Sequence, residues 1–491
     1  MRAFIIAISL LLPGIVFANN LSITNVSLVR PNEANKTINI KFDVSWSNSW
    51  SDSENYDAVW IFAKYKKTAD SNWYHVKLSG IYSFGSGTAL IGSVPSDYVG
   101  CFLYRSATSN GALSTTNIEI IWDWGMDSNL SASSVIDEIK VFGIEMVYIP
   151  QGNFYIGDGD GTEDGYGGSG HSPAAFNSGT NDALPVLIGT TLARNIYASG
   201  DIESGIGIGG SGPYAGIDTN NDGTIDNASF PVGWAPFYIM KYEITQGQYA
   251  DFLSTLTSAQ CNNRYNSALY GSSRYTITGT CPNITTNRPD RACNDMGYQD
   301  LYAYADWAGL RPVSDTEYEK ACRGPNTPVS WEQAWGIQSY TYAMSISGSE
   351  NGTETVTGPA GANYVEEMDP GYEYSGGDAG YGPLRVGIFA TSGSNRVTSG
   401  AGYYGAMDLS GNVAEFVVSL SPVSSGRSFQ GTHGDGALTG SGAANNSDWP
   451  LGDPYMFYHE DMGTGASVSG RASSVSGRSS ILGGRCARSA P

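Results

Sequence analysis

The chain has 491 residues, with 26 Lys plus Arg against 47 Asp plus Glu, a formal charge of -21. That surplus repels nucleic acid and anionic membrane surfaces and leaves cations, calcium first, as the natural counter-partners. Only 15% of residues are charged while Gly reaches 63 and Tyr 31, a composition of loops and aromatic surfaces that argues against a helical bundle.

The first eighteen residues, "MRAFIIAISLLLPGIVFA", combine Arg2, an apolar run from Phe4 to Leu12 and small or apolar residues at Val16 and Ala18. They read as a secretory signal cut after Ala18, so a secreted or extracellular-surface protein is expected. The run is shorter than the roughly twenty apolar residues a membrane helix needs, and no membrane insertion is expected. Next comes "KTINIKFDVSW", in which Ile38, Ile40, Phe42, Val44 and Trp46 alternate with polar residues, the period-2 pattern of a half-buried strand. Similar short runs occupy Leu21 to Val29, Ala58 to Tyr65, Trp73 to Leu78, Thr88 to Val94, Cys101 to Arg105 and Ile118 to Trp122. Together they predict an all-β sandwich of immunoglobulin-like architecture over residues 19–124, without the Cys-Trp-Cys pattern of antibody domains.

Residues 125–139 begin with "GMDSNLSASSVID" and read as a linker before a second domain over 140–491. Its helices are well marked. Thr245 with Gln248 forms a capping box ahead of Tyr249, Phe252, Leu253 and Leu256 at one-face spacing. A stripe of Leu301, Tyr304, Ala305 and Ala308 stops at Gly309, and Ser314 with Glu317 caps a third helix that ends near Gly324. A Gly-, Asp- and Ser-rich insertion spans 157–229, too long for an ordinary loop. The six cysteines, an even number in an exported chain, admit disulfides, and Cys261 with Cys281 is the expected pair; Cys101, opening the strand "CFLYR", reads as a buried free thiol. The absence of CxxC argues against a zinc ribbon or a thioredoxin-like site.

Two stretches suggest hard-cation chemistry by composition. "DTNNDGTID" fits D-x-N-x-D-G-x-x-D, with Asp218, Asn220, Asp222 and Asp226 as oxygen donors, the Thr224 carbonyl beside them and Gly223 for the sharp turn. Ser229 stands where an EF-hand has its bidentate Glu, so an extracellular-type affinity of about 10⁻⁴ to 10⁻³ M is expected. In "YGAMDLSGNVAEF", Asp408 and Glu415 bracket a glycine turn; spacing alone favours an Asx turn followed by an outward strand residue over a cation site. His433 with Asp435, and His459 with Glu460 and Asp461, read as solvated loop pairs more readily than as acid-base or metal groups.

Six blocks in order carry a family resemblance: "EMVYIPQGNFYIG", "FYIMKYEITQGQYADFL", "AYADWAGLRPVSDTEYEKACRG", "AWG", "YGAMDLSGNVAEF" and "GGRCARS". Residues 140–491 resemble the formylglycine-generating enzyme, or sulfatase-modifying factor, family. The resemblance implies an α+β, C-type-lectin-like fold with long loops and bound calcium (Ca2+). It places one calcium site on Asp408, the carbonyls of Gly411 and Val413, and Glu415. A second would use Asn363, the Tyr364 carbonyl and Asp378, with a carbonyl near Gly380. Cys322 and Cys486 stand where relatives have structural disulfide cysteines, although Ala305 replaces the usual partner of Cys486.

Oxygen-dependent members of that family work through two cysteines that bind copper. Here the corresponding stretch, "GRSFQGTHGDGALTGSG", has none, and no cysteine lies between Cys322 and Cys486. Ser, Gly or Asp cannot replace a thiolate as a soft-metal ligand or as a thiol reagent. Iron-dependent relatives add a His triad, whereas this chain has four histidines and no HxxxH. The expectation is a secreted, calcium-stabilised, non-catalytic protein that binds an extracellular protein or glycan, or copies of itself. The alternative is a protein-modifying enzyme of the same family acting without the cysteine pair.

Overall fold

The computed structural model describes residues 21–68, 70, 72–157, 186–189, 227–366, 373–418, 428–451, 457–459, 467–470, 472–473 and 477–491. The signal-like segment and the Asp218 to Asp226 motif lie outside them. The fold is α+β: many antiparallel strands and a few short helices. Among the described residues no helix is long and apolar enough to cross a membrane.

The amino-terminal strands are β1 (Ser22–Asn32), β2 (Thr37–Ser51), β3 (Asp57–Lys67), β4 (Trp73–His75), β5 (Leu78–Ser83), β6 (Ser86–Gly87), β7 (Leu90–Ser93), β8 (Cys101–Arg105) and β9 (Ser109–Asp123). One sheet has the order β1-β2-β9-β5, with β6 also on β9. The expected Trp73 to Leu78 strand is interrupted. β4 pairs with β3, the Val76 amide makes a further bond to the Ala63 carbonyl, and β5 starts at Leu78 in the other sheet, so the chain changes sheets within this run.

The second sheet reaches beyond the sandwich. The strand β10 (Ile136–Ile149) pairs with β3 from Ile136 to Val147 and with β13 (Phe237–Met240) through Met146 to Ile149. β13 in turn pairs with the carboxy-terminal strand Cys486–Ser489. Ile136 to Ile139, within the span read as a linker, are therefore strand residues paired with Tyr65 to Lys67, and Glu138 meets Lys66 at 3.1 Å.

This shared sheet is covered on both faces. On one, Val59, Ile61, Ala63 and Tyr65 of β3 pack against Ile38, Ile40, Phe42, Val44, Ile118 and Ile120 of the first sheet. On the other, Ala58, Trp60 and Phe62 join the core of α1 (Gln246–Ser254) and α3 (Tyr298–Trp307). The Phe62 and Trp307 rings meet edge-on at 5.1 Å, and the Trp60 indole donates to the Ala308 carbonyl at 2.8 Å. Burying each such side chain contributes about 1.5–3 kcal/mol.

The helices begin where their caps predict. Thr245 caps α1 and exchanges bonds with Gln248, and Ser314 with Glu317 does the same for α4 (Asp315–Arg323), which ends at Gly324 with φ of 67°. A further capping box, Thr257 with Gln260, opens α2 (Ser258–Arg264). Cys261 of α2 is disulfide-bonded to Cys281, as expected. Just before the insertion, β11 (Phe154–Ile156) pairs with β12 (Val186–Ile188), which lies within it.

Candidate functional site

The glycine turn from Asp408 to Val413 feeds the strand Ala414–Val417, which lies beside the strands Phe457–His459 and Leu482–Gly483. Asp408 and Asn412 have φ of 56° and 71°, and Gly411 has 94°. A Cβ at Gly411 would sit 2.6 Å from the Val365 carbonyl, so only glycine fits.

Behind this turn lies a buried cluster of charges. Glu243 accepts the Asn412 amide at 2.5 Å and the Val413 backbone amide at 3.0 Å. Asp408 accepts the Gly387 amide at 2.6 Å. Glu415 is gripped by Arg485, with Nε at 2.7 Å and Nη2 at 2.6 Å, and accepts the Tyr318 hydroxyl at 3.1 Å. Arg485 also donates to the Asp408 carbonyl at 3.1 Å. Three buried carboxyls thus surround one buried guanidinium. Burial pushes the Asp408 carboxyl up to about 6, and burial beside Asp408 and Glu415 pushes Glu243 well above the usual carboxylate range.

That surplus of buried negative charge suits a hard cation, and Asp408 is an oxygen donor of the right type. The Glu415 carboxylate, in contrast, is taken up by Arg485, and the Gly411 carbonyl accepts the Val413 amide at 3.1 Å. Among the described residues no three His, Cys, Asp or Glu side chains form a metal-holding group.

The second predicted set is engaged elsewhere. The Asn363 side chain accepts from the Thr341 amide and donates to the Val397 carbonyl, both at 2.9 Å, while the Tyr364 carbonyl accepts from Ala343 at 2.9 Å. Asp378 is held by Arg288 through two 2.6 Å bonds and by Arg291 at 2.8 Å, contacts that keep its carboxyl well below the usual range. Two guanidiniums already balance it, and they would repel a further cation. Of the third set, Asp218, Asn220, Asp222, Thr224 and Asp226 are all outside the described residues.

His433 does not pair with Asp435. Its Nε2 accepts the Ser489 amide at 3.0 Å and its Nδ1 stands 3.6 Å from Asp97, a partner from the amino-terminal region. Burial holds the imidazole down to about 4, so it is neutral at physiological pH. For His459 only the backbone pairing with Glu415 is described, and Glu460 and Asp461 lie outside the described residues.

The stretch that stands where relatives carry reactive cysteines is a packing element. The Gly434 amide donates to the Leu310 carbonyl at 2.8 Å and the Gly436 amide to the Asp306 carbonyl at 3.0 Å. A Cβ at Gly434 would fall 2.4 Å from Asp306 Cα, and one at Gly436 2.1 Å from the His75 ring. Lys64 donates to the Gly436 carbonyl at 2.9 Å, and burial lowers its ammonium to about 7. Asp306, pushed up to about 7 by burial, accepts the Asp435 and Asn445 amides at 3.1 Å. Sequence reading did not single out Lys64, Asp306 or Glu243. Lys64 sits in a strand buried on both faces, where alternation gives no signal.

Cys101, Cys293, Cys322 and Cys486 are buried and unpaired. Burial raises all four thiols, Cys101 to about 12, so none is a ready thiolate at neutral pH.

A family model, described as a Sulfatase-modifying factor enzyme 1-like domain, matches residues 206–490. No curated protein matches the chain.

Proposed function

The chain belongs to the sulfatase-modifying factor family, and on that premise we propose that it uses the family scaffold, with a C-type-lectin-like arrangement, as a secreted, calcium-stabilised module and not as an enzyme. Its task is to bind an extracellular protein or glycan, or to assemble with copies of itself. The observation that carries this reading is the glycine-rich segment around Gly434 and Gly436. Where thiol chemistry would need two accessible cysteines, the backbone is pressed onto Asp306 and His75 and carries no sulfur. The buried thiols elsewhere offer no substitute.

Calcium belongs to the proposal on charge grounds. Asp408, Gly411, Val413 and Glu415 would hold it only if Glu415 gave up part of its contact with Arg485 and the Gly411 carbonyl its bond from the Val413 amide, and the ion's charge would then offset the surplus carboxylates around Arg485. Asp218 to Asp226 is the second assignment, resting on spacing alone.

Two measurements test the reading. Purified secreted protein should retain calcium by elemental analysis and lose thermal stability in chelator, and electron microscopy should separate dispersed copies from ordered assemblies. Oxygen uptake with a thiol peptide after loading with copper or iron would overturn the non-catalytic assignment and favour the enzyme alternative.

A further inference from the structure

Three charged side chains meet at one end of the shared sheet. Asp57 opens β3, two residues before Val59 and so on the face that packs against the first sheet. Glu145 of β10 is the register partner of Val59, and Lys241 follows β13, its amide bonded to the Glu145 carbonyl at 2.9 Å. All three side chains are buried. Lys241 Nζ lies 3.2 Å from Asp57 Oδ2 and 3.2 Å from Glu145 Oε2; it also donates to the Asn48 carbonyl at 3.2 Å and stands 4.8 Å from the Trp50 ring. One amine thus sits between two carboxyls in a site walled off from water.

The surroundings treat the two carboxyls differently. Asp57 Oδ1 accepts the Ser49 hydroxyl and the Trp50 amide, both at 2.9 Å, and Oδ2 accepts the Trp46 indole at 3.0 Å. Two donors aimed at Oδ1 fix the carboxyl and would stabilise negative charge growing there. Glu145 Oε1, by contrast, is buried without a partner. Burial pushes this carboxyl up to about 8 against the pull of Lys241, so at neutral pH it carries a proton. Burial also disfavours the Lys241 ammonium, but Tyr242, Glu145 and Asp57 outweigh it and hold the group above its ordinary range. A free amine therefore arises here by passing the proton to Asp57 Oδ2 across their contact, not to solvent.

We propose that Lys241 and Asp57 join in an isopeptide bond, Nζ to Cγ, with Glu145 as proton carrier, a covalent tie between the sandwich and the region after it. Lys241 Nζ gives one proton to Asp57 Oδ2 and attacks Cγ, and the carbonyl electrons move onto Oδ1, held by Ser49 and Trp50. Glu145 gives its proton to Oδ2, which leaves as water, and takes one from Nζ in return. One C–O bond breaks, one C–N bond forms, one water departs, and nothing is oxidised or reduced. Fixed contact between amine and carboxyl replaces the encounter that makes amide condensation slow in solution. The product removes a buried ion pair and its desolvation cost. The bond needs neither calcium nor cysteine, so it stands whether or not the preceding reading does.

Intact-mass spectrometry of the denatured full chain, with peptide mapping, tests it. The chain should be lighter by one water than the sequence from its measured amino terminus, beyond the hydrogens lost in the Cys261–Cys281 disulfide, and digestion should release a branched peptide joining Asp57 to Lys241. Asp57→Ala should restore the full mass. Glu145→Gln keeps both bonding partners and should slow the loss of water about a hundredfold, followed in time in freshly synthesised chain. A native chain that keeps its full mass at neutral pH, a branch on Glu145 in place of Asp57, or loss of water at the native rate in folded Glu145→Gln would each overturn the proposal. Should the variants fail to fold, the mass and branch point of the native chain decide.

Discussion

The sandwich and the region after it are held together by different means. Between the two sheets, the core is apolar side chains from long strands whose backbone groups satisfy one another in ladders. Beyond Phe237 the strands shrink to two to four residues, and Arg311, Arg323, Arg485 and Arg488 are among the largest fully buried side chains in the protein. Arg323 shows why. It pairs with Glu319 at 2.7 Å and donates to the Tyr155 carbonyl in β11 at 2.9 Å and to the Gly157 carbonyl, just past the end of that three-residue strand, at 2.7 Å. Where regular structure is sparse, buried guanidiniums take over the work of the missing backbone partners. The difference teaches that stability in the later region depends on charge, while in the sandwich it depends on volume.

The largest break in that comparison should come from Arg485→Met. It strands Glu415 without its counter-ion and should cost about 3–5 kcal/mol in urea denaturation, whereas pairing it with Glu415→Leu should recover much of the loss. Ile120→Ala in the sandwich leaves a cavity beside Ile40 and should cost about 3 kcal/mol, equally at pH 5 and pH 8. A marked pH dependence of that second loss would contradict the division.

Asp290 sharpens it with a sign. Both of its carboxyl oxygens are buried without a hydrogen bond, and burial, with Glu354 adding to it, pushes the group up to about 7. A carboxyl raised in the folded state binds its proton more tightly there than in the unfolded chain. Its stability contribution is therefore full below about pH 4 and is lost as pH rises to about 7. Asp290→Asn should stabilise the protein at pH 8 by about 2 kcal/mol and change little at pH 4, read from melts at the two values. Smallest is Ser314→Ala, which removes the α4 cap and should cost about 1 kcal/mol.

The sequence was most readable where one local rule decides a residue. Alternation from Ile38 to Trp46 located β2, and the pairs Thr245/Gln248 and Ser314/Glu317 located two helix starts. The same pattern at Thr257/Gln260 was there to be read and marks α2. Charge partners were not readable, since they join positions far apart in the chain: Glu415 with Arg485, His433 with Asp97, Asp378 with Arg288. The turn at Asp408 could be recognised by its residues, but the acids flanking it could not be told from ion-pair partners until Arg485 was placed. The extent of the second sheet was hidden for a related reason, because the small polar residues before Ile136 suggest a boundary that strand pairing with β3 crosses.

That crossing strand has a consequence for how the molecule comes apart. β10 is hydrogen-bonded to β3 along most of its length and to β13 at its end, so melting either neighbour strips one edge from the other's support. Lys241 reinforces the junction, bridging Asp57 and Glu145 at 3.2 Å each. Heat should therefore meet a single cooperative unit, with one calorimetric transition whose measured and van't Hoff enthalpies agree. Cutting the gene near residue 139 would sever a strand and yield two aggregation-prone fragments in place of two modules.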